Sequence, residues 1–268
     1  MSFFNLTNIG LAVIGISVVV KSGLSSRFLD ALCSTSAYKS YFAKLLTMAR
    51  KKEDKPGPFK DMKTTMFKGI KETAEEIGGD VLEIGCGTGS ALRMLSLPKG
   101  SEFIALDPNP HMEKYFREEL DRFPEVKLKA FLVQGGEDLS RIADDSLAAV
   151  FVIDVLCSVP EDGLDKLLEE VKRVLKPGGR FFFIEHIIDK PGTWRRSWQR
   201  LLSSHLGVWP RLFGNCHCDR DTDKIIQMAG FSKLEMDKVY MPTDKIKSVF
   251  MRNFFYCVAY FVNGYASK

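Results

Sequence analysis

The residues best suited to chemistry sit in one stretch, Asp80-Val81-Leu82-Glu83-Ile84-Gly85-Cys86-Gly87-Thr88-Gly89. Glycines at alternate positions let the backbone turn sharply and leave its amides open to a ligand. The spacing is G-x-G-x-G, with Ser90 where a dinucleotide fingerprint would place its last glycine, so the loop points away from a nicotinamide cofactor. Val81, Leu82 and Ile84 form an apolar run broken only by Glu83, which suits a central strand of a parallel sheet. A second acid, Asp107, closes the apolar run from Glu102 to Leu106 and opens Asp107-Pro108-Asn109-Pro110. It lies about 20 residues past the glycines, where a ribose is usually held, and its two acceptor oxygens match two hydroxyls.

The elements that must position these groups follow from the pattern around them. A third strand over Leu128 to Val133 runs into Gln134-Gly135-Gly136-Glu137-Asp138-Leu139, and a fourth over Leu147 to Ile153 runs into Asp154-Val155-Leu156-Cys157-Ser158-Val159. Helices are expected over Lys60 to Ile77, Ser90 to Leu97, His111 to Phe123 and Gly163 to Leu175. Such alternation requires right-handed crossovers and parallel pairing, and every candidate contact then falls at a strand's carboxyl end, where open α/β sheets bind ligands. Lys176-Pro177-Gly178-Gly179 turns the chain into a fifth strand, Arg180 to Glu185, whose Phe181, Phe182 and Phe183 suit burial on both faces.

The set E-x-G-x-G-x-G, F-I-A-L-D-P-N, G-G-E-D-L and L-K-P-G-G-R-F-F-F, spanning about Asp80 to His186, resembles the class I S-adenosylmethionine-dependent methyltransferases. Four narrower stretches are similar to the small membrane-anchored thiol S-methyltransferases, the methyltransferase-like seven group. They are I-G-C-G-T-G, L-D-P-N-P, V-L-C-S-V from Val155 to Val159, and E-H-I…T-W…W-Q from Glu185 to Gln199. The resemblance implies a Rossmann-like, mostly parallel seven-stranded sheet with helices on both faces and an antiparallel last strand, with Phe231 to Tyr240 and Phe254 to Val262 as a terminal pair. It implies S-adenosylmethionine as cofactor, met by Glu83, Gly85, Cys86, Gly87, Gly89, Asp107, Pro108, Asn109, Gly136, Glu137, Asp138, Val155, Leu156 and Cys157. The chain departs from the family where Asn215, in place of glycine, precedes Cys216, and where Cys218 has no counterpart.

Methyl transfer from a sulfonium is an in-line displacement in which holding the reactants in line does most of the work. A thiol must also lose its proton, since the thiolate is the nucleophile. His186 at the end of strand five is the first candidate base, ahead of Asp154 and His205. The expected substrate is a small apolar alkyl thiol. A quinone, a lipid, a phenol or arsenite remains open, as does a membrane-recruited binding protein that keeps the fold without turnover. Cys216-His217-Cys218 lacks the four-ligand spacing of a structural zinc site, so no metal is expected.

With 45% hydrophobic and 27% charged residues, a chain of 268 residues reads as one globular domain plus an appendage. Six scattered cysteines fit a reducing compartment rather than a disulfide framework. Ser2 to Val20 carries no charged side chain and, as a helix, would extend about 28 Å, enough for a marginal membrane anchor. Lys21 to Lys55 then holds eight basic and three acidic residues, a collar suited to an anionic membrane surface. No nucleic-acid patch stands out, and nothing fixes the oligomeric state. The expected organisation is an anchor and amphipathic collar over 1–55 and a catalytic domain over 56–268, with a helical insertion over 187–219. The expected location is the cytosolic face of the endoplasmic reticulum membrane, with lipid droplets as a second site.

Overall fold

The computed structural model describes residues 31–50, 56–244 and 249–268. The expected anchor over Ser2 to Val20 and most of the basic collar's ends lie outside the described residues. Among those described, no helix is long and apolar enough to cross a membrane.

The strands are β1 (Asp80–Ile84), β2 (Phe103–Leu106), β3 (Leu128–Leu132), β4 (Leu147–Ile153), β5 (Leu175–His186), β6 (Lys233–Tyr240) and β7 (Tyr260–Ser267). They form one seven-stranded sheet in the order β3-β2-β1-β4-β5-β7-β6. The first five pair in parallel, while β7 runs antiparallel to both β5 and β6. Strand order reverses between β1 and β4, so the glycine loop and the loop after β4 meet at the switch point.

Two apolar layers enclose the sheet, and the phenylalanine run of β5 shows how. Phe181 and Phe183 pack with Leu164, Leu167 and Val171 of α4 (Glu161–Val174), and Phe182 packs on the opposite face with Met66, Phe67 and Ile70 of α2 (Pro58–Ile77). Burying each such side chain contributes roughly 1.5–3 kcal/mol. The apolar stripe of α2 is thus core packing. Helix α1 (Ser36–Arg50), within the stretch expected to be a surface amphipathic element, also reaches the ligand edge. Asn109 donates from Nδ2 to the Lys39 carbonyl, Ser36 Oγ lies 2.8 Å from His111 Nε2, and the Tyr38 hydroxyl donates to the Leu212 carbonyl. Helix α1 therefore bridges the loop after β2 and the insertion.

Some expectations shift. The helix expected over Ser90 to Leu97 is turns and a single 3-10 turn, Leu92–Met94, because Ala91, Leu92 and Leu95 bury at a spacing that one tight turn satisfies before Pro98. The helix after β2 is the shorter α3 (Met112–Leu120). The alternation over Phe254 to Val262 is split: the described residues up to Cys257 belong to α8 (Val249–Cys257), and the strand starts at Tyr260. Pairing fixes that start, since Phe261 lies opposite His186 and Ser267 opposite Arg180. Strand β5 begins earlier than expected, at Leu175, because Leu175 pairs with Leu147 ahead of a register shift that holds the Lys-Pro-Gly-Gly turn.

The insertion contains α5 (Trp194–Arg200), a π-helical turn (Leu201–His205) and α6 (Val208–Leu212), and α7 (Thr222–Met228) follows it. Buried Gln199 pins it to the sheet: its amide donates to the Ile187 and Cys257 carbonyls and accepts from the Asp189 amide. Trp209 is buried with Cys218 and Cys257, whereas Trp194 and Trp198 are exposed.

Candidate active site

The glycine loop leaves β1 through two backbone bonds, with the amides of Gly85 and Cys86 both donating to the Leu106 carbonyl of β2. Gly85 has φ +71°, and a Cβ there would stand 2.4 Å from Val155 Cγ2, so only glycine lets the loops after β1 and β4 touch. Gly87 has φ +52° and a Cβ there would meet nothing within 4 Å. That open side is where a ligand can approach the main chain. The Gly89 amide closes the loop by donating to the Cys86 carbonyl.

Asp107 spans the two loops. Its Oδ2 accepts from the Gly87 amide at 2.9 Å and its Oδ1 from the Asn109 amide at 2.8 Å. Each oxygen keeps a second lone pair for a further donor. Burial raises its pKa to about 6 against the pull of those two amides. Asn109 Oδ1 accepts from the His111 amide, which sets the turn after β2, and Pro108 is exposed beside it. Glu83 is 3% exposed, and its Oε2 has no hydrogen-bond partner. Burial lifts its pKa to about 8, with Lys63 opposing and Asp107 reinforcing the shift. Burial likewise pushes the Cys86 thiol well up, so it behaves as an apolar residue.

The third loop is looser. Gly136 is buried, and a Cβ there would stand 2.7 Å from Ile84 and 2.8 Å from Leu167, so this glycine packs against core. Glu137 is half-buried, and Asp138 is exposed, its Oδ1 accepting from the Ser140 amide. The Ser140 hydroxyl, and after it that amide, hold the Asp138 carboxyl below its ordinary range.

The loop after β4 is built on a carboxylate the sequence hid. Glu185 is fully buried, and its Oε1 accepts from the amides of Val155 at 2.7 Å and Leu156 at 3.0 Å. Burial and the nearby Asp154 raise its pKa to about 7, and Oε2 has no partner. The signal for it was an acid directly after the apolar run of Phe181 to Ile184, still within the buried strand, where burial would otherwise exclude it. Asp154 is exposed with φ +55°, and its Oδ1 accepts from the His186 amide at 3.3 Å.

Beneath that loop three side chains from distant segments converge. Cys157, His186 and Cys216 place their sulfur and ring nitrogen atoms within 4.8 Å of one another, and His186 Nε2 lies 3.1 Å from Cys216 Sγ. His186 is 4% exposed, and its Nδ1 has no partner. The Cys216 sulfur beside it and its own burial keep the Cys157 thiol protonated, its pKa pushed well up. Burial works against the His186 imidazolium, while Cys157, Asp154 and Glu185 outweigh it and raise the pKa. The Cys157 part of that lift is present only where Cys157 is a thiolate. The insertion is stitched over this cluster. The His217 amide donates to the Cys157 carbonyl and Asn215 Nδ2 to the Ser158 carbonyl, both within 2.9 Å. Asn215 has φ +65°, a left-handed conformation that asparagine tolerates. His205, by contrast, is exposed.

The unpartnered Glu83 oxygen, the spare lone pairs of Asp107 and the open side of Gly87 fit a ligand with a cationic group and a ribose diol, as in S-adenosylmethionine. The family described as "Methyltransferase domain" matches residues 82–183. A solved structure of a SAM-dependent methyltransferase from Aquifex aeolicus is similar in fold, with a TM-score of 0.50 at 19% identity over 82% of this chain and 97% of that one. Human "Thiol S-methyltransferase TMT1A" is 35% identical over 181 residues, which is 67% of this chain and 71% of that protein. Human "Thiol S-methyltransferase TMT1B" is 34% identical over 207 residues, 77% of this chain and 81% of that protein. The chain therefore belongs to the family of the thiol S-methyltransferases TMT1A and TMT1B, S-adenosylmethionine-dependent methyltransferases of the class I fold.

Proposed function

We propose that this chain methylates the sulfur of a small apolar thiol. The observation that carries the reading is the polar cluster of buried Cys157 and His186 with half-buried Cys216, at the β4–β5 edge beside the cofactor loops. Bound S-adenosylmethionine supplies an electrophilic methyl group on a sulfonium. The loop from Gly85 to Gly89 admits it to the main chain, with Cys86 filling apolar space behind. Asp107 accepts from the ribose hydroxyls, and Glu83 compensates cationic charge. Pro108 and Asn109 shape the adenosine side, with Gly136, Glu137 and Asp138 edging the base. Val155, Leu156 and Cys157, clamped by Glu185, flank the methionine part. The thiol's proton must leave, and His186, with Asp154 holding its backbone, is the group beside the two sulfurs that can favour a thiolate.

The test is incorporation of radiolabelled methyl from the cofactor into an alkyl thiol, a phenol, a quinone and arsenite, assayed in parallel with the full chain. Turnover of the thiol well above the other three is expected. Transfer to another acceptor, with the thiol inert, overturns the substrate; no transfer to any overturns the enzymatic reading.

We further propose that the chain works at a membrane surface. The apolar run from Ser2 to Val20 supports this, as do Tyr41, Leu45 and Met48, exposed on α1, and Leu212, exposed where α1 meets the insertion. Deleting residues 1–20 should release the protein from membranes, whereas high salt should remove only the screened contribution of the basic collar. Release of the intact chain by salt alone overturns the anchor.

A further inference from the structure

The three donors under the β4 loop form a set that sequence spacing concealed. Two sulfurs and one imidazole nitrogen, drawn from the loop after β4, the end of β5 and the insertion, share one small volume. Tetrahedral zinc, with bonds of about 2.3 Å to sulfur and 2.0–2.1 Å to nitrogen, places such donors about 3.6–3.8 Å apart. Here His186 Nε2 and Cys216 Sγ stand 3.1 Å apart and no pair exceeds 4.8 Å, so adjustments of about 1 Å bring all three to bonding positions.

The surroundings also suit a metal site. The backbone bond from His217 to Cys157 and the side-chain bond from Asn215 to Ser158 hold the two cysteine segments together. Trp209 Nε1 donates to Cys216 Sγ at 3.4 Å, the kind of outer bond that stabilises a ligating thiolate. His186 is nearly fully buried, with Nε2 turned to Cys216 Sγ and Nδ1 unpartnered. Two thiolates and an imidazole select a thiophilic ion over a hard one such as magnesium or calcium.

We propose that Cys157, His186 and Cys216 bind a zinc ion with its fourth coordination position open. Three protein ligands are the number found where zinc takes up an exchangeable ligand, whereas structural zinc is closed by four. Binding converts both cysteines to thiolates, and their protons pass to solvent. A thiol entering the fourth position forms a zinc–sulfur bond and gives up its proton to solvent in the same way. This role deepens, and rests on, the reading as a thiol methyltransferase; the site itself does not depend on it.

The test uses the purified full chain, reduced and stripped of metal, and then titrated with zinc alone or with cobalt as a coloured substitute. About one equivalent of zinc should survive dialysis, and cobalt should give the sulfur-to-metal charge-transfer absorption of a thiolate site. Cys216→Ser and Cys157→Ser should each lose more than about a hundredfold in affinity, beyond the roughly 10–100-fold that an outer-shell change causes. Cys33→Ser, outside the cluster, should bind as the parent does. Cys216 is only half-buried, so that variant should keep its fold and its cofactor binding even if Cys157→Ser does not. No retained zinc in the parent, or equal affinity in Cys216→Ser, overturns the site. Zinc binding with equal thiol turnover in stripped and loaded enzyme overturns the activating role. Zinc binding with no thiol turnover upholds the site and overturns the substrate reading.

Discussion

The carboxyl edge over β1 and β2 and the edge over β4 and β5 are built in opposite ways. The first is local: the glycine loop makes its own shape from left-handed glycines, and one aspartate about 20 residues on fastens it by accepting from the Gly87 amide. The second is assembled from afar. Glu185 of β5 shapes the loop after β4, Gln199 ties down the insertion, and the Cys157, His186 and Cys216 cluster needs three separate segments in place. A locally built cofactor edge can stay constant while distant segments that change independently reshape the acceptor edge. That division lets one fold serve many acceptors.

The strongest way to break the division is at Gly85, where the loops after β1 and β4 touch. Gly85→Ala should cost about 2–4 kcal/mol, from left-handed strain and from the clash with Val155, and should weaken the cofactor as well. Val155→Ala in the same chain should recover the clash but not the strain. A denaturant titration of both singles and the double measures the coupling. Independent, additive losses would mean the two loops do not support one another.

The next pair should separate the two edges. Asp107→Ala removes charge-assisted acceptors worth about 1.5–3 kcal/mol, so calorimetry should show cofactor affinity falling several-fold to a hundredfold. Glu185→Ala leaves two buried amides without an acceptor and should cost about 2–4 kcal/mol of stability, with turnover hit harder than cofactor affinity. Equal cofactor losses in the two variants would erase the distinction.

The same division explains what the sequence made legible. The five parallel strands, the glycine loop and Asp107 could be read because each rests on contiguous patterns: apolar runs, glycine spacing and an acid at a strand end. The Ser90 to Leu97 helix and the strand from Phe254 failed because tertiary constraints chose among patterns that local propensity leaves degenerate. Glu185, Gln199 and Cys216 gained no role from the sequence, since their partners lie on other elements. The reading of Cys216-His217-Cys218 shows the limit well. The two cysteines are separated only by His217, but Cys218 turns into an apolar cluster with Trp209 and Cys257, while Cys216 meets residues from two other segments.

The smallest expected effect, and the sharpest on the cofactor edge, is a pH dependence set by Glu83. Its folded pKa of about 8 is raised above the ordinary carboxyl value of 4.5, so the neutral acid is the form that the buried site favours. The associated stability is fully present below pH 4.5 and is lost as the pH climbs through 8. Asp107, raised to about 6, adds a loss of the same sign over a lower window. Lys63 of α2 faces Glu83 with positive charge and limits the shift, while Asp107 enlarges it. A bound ligand carrying an amine and a sulfonium favours the carboxylate, so binding near pH 7 should release a proton from Glu83, and the gap in melting temperature between cofactor-saturated and free protein should widen from pH 5.5 to 8.5. Glu83→Gln keeps the shape without the titration. It should flatten the portion of that widening above pH 6 and abolish its share of proton release, read from calorimetry in buffers of different ionisation enthalpy. An unchanged profile in Glu83→Gln would place the cofactor's charge away from Glu83 and leave Asp107 as the acid that meets it on this edge.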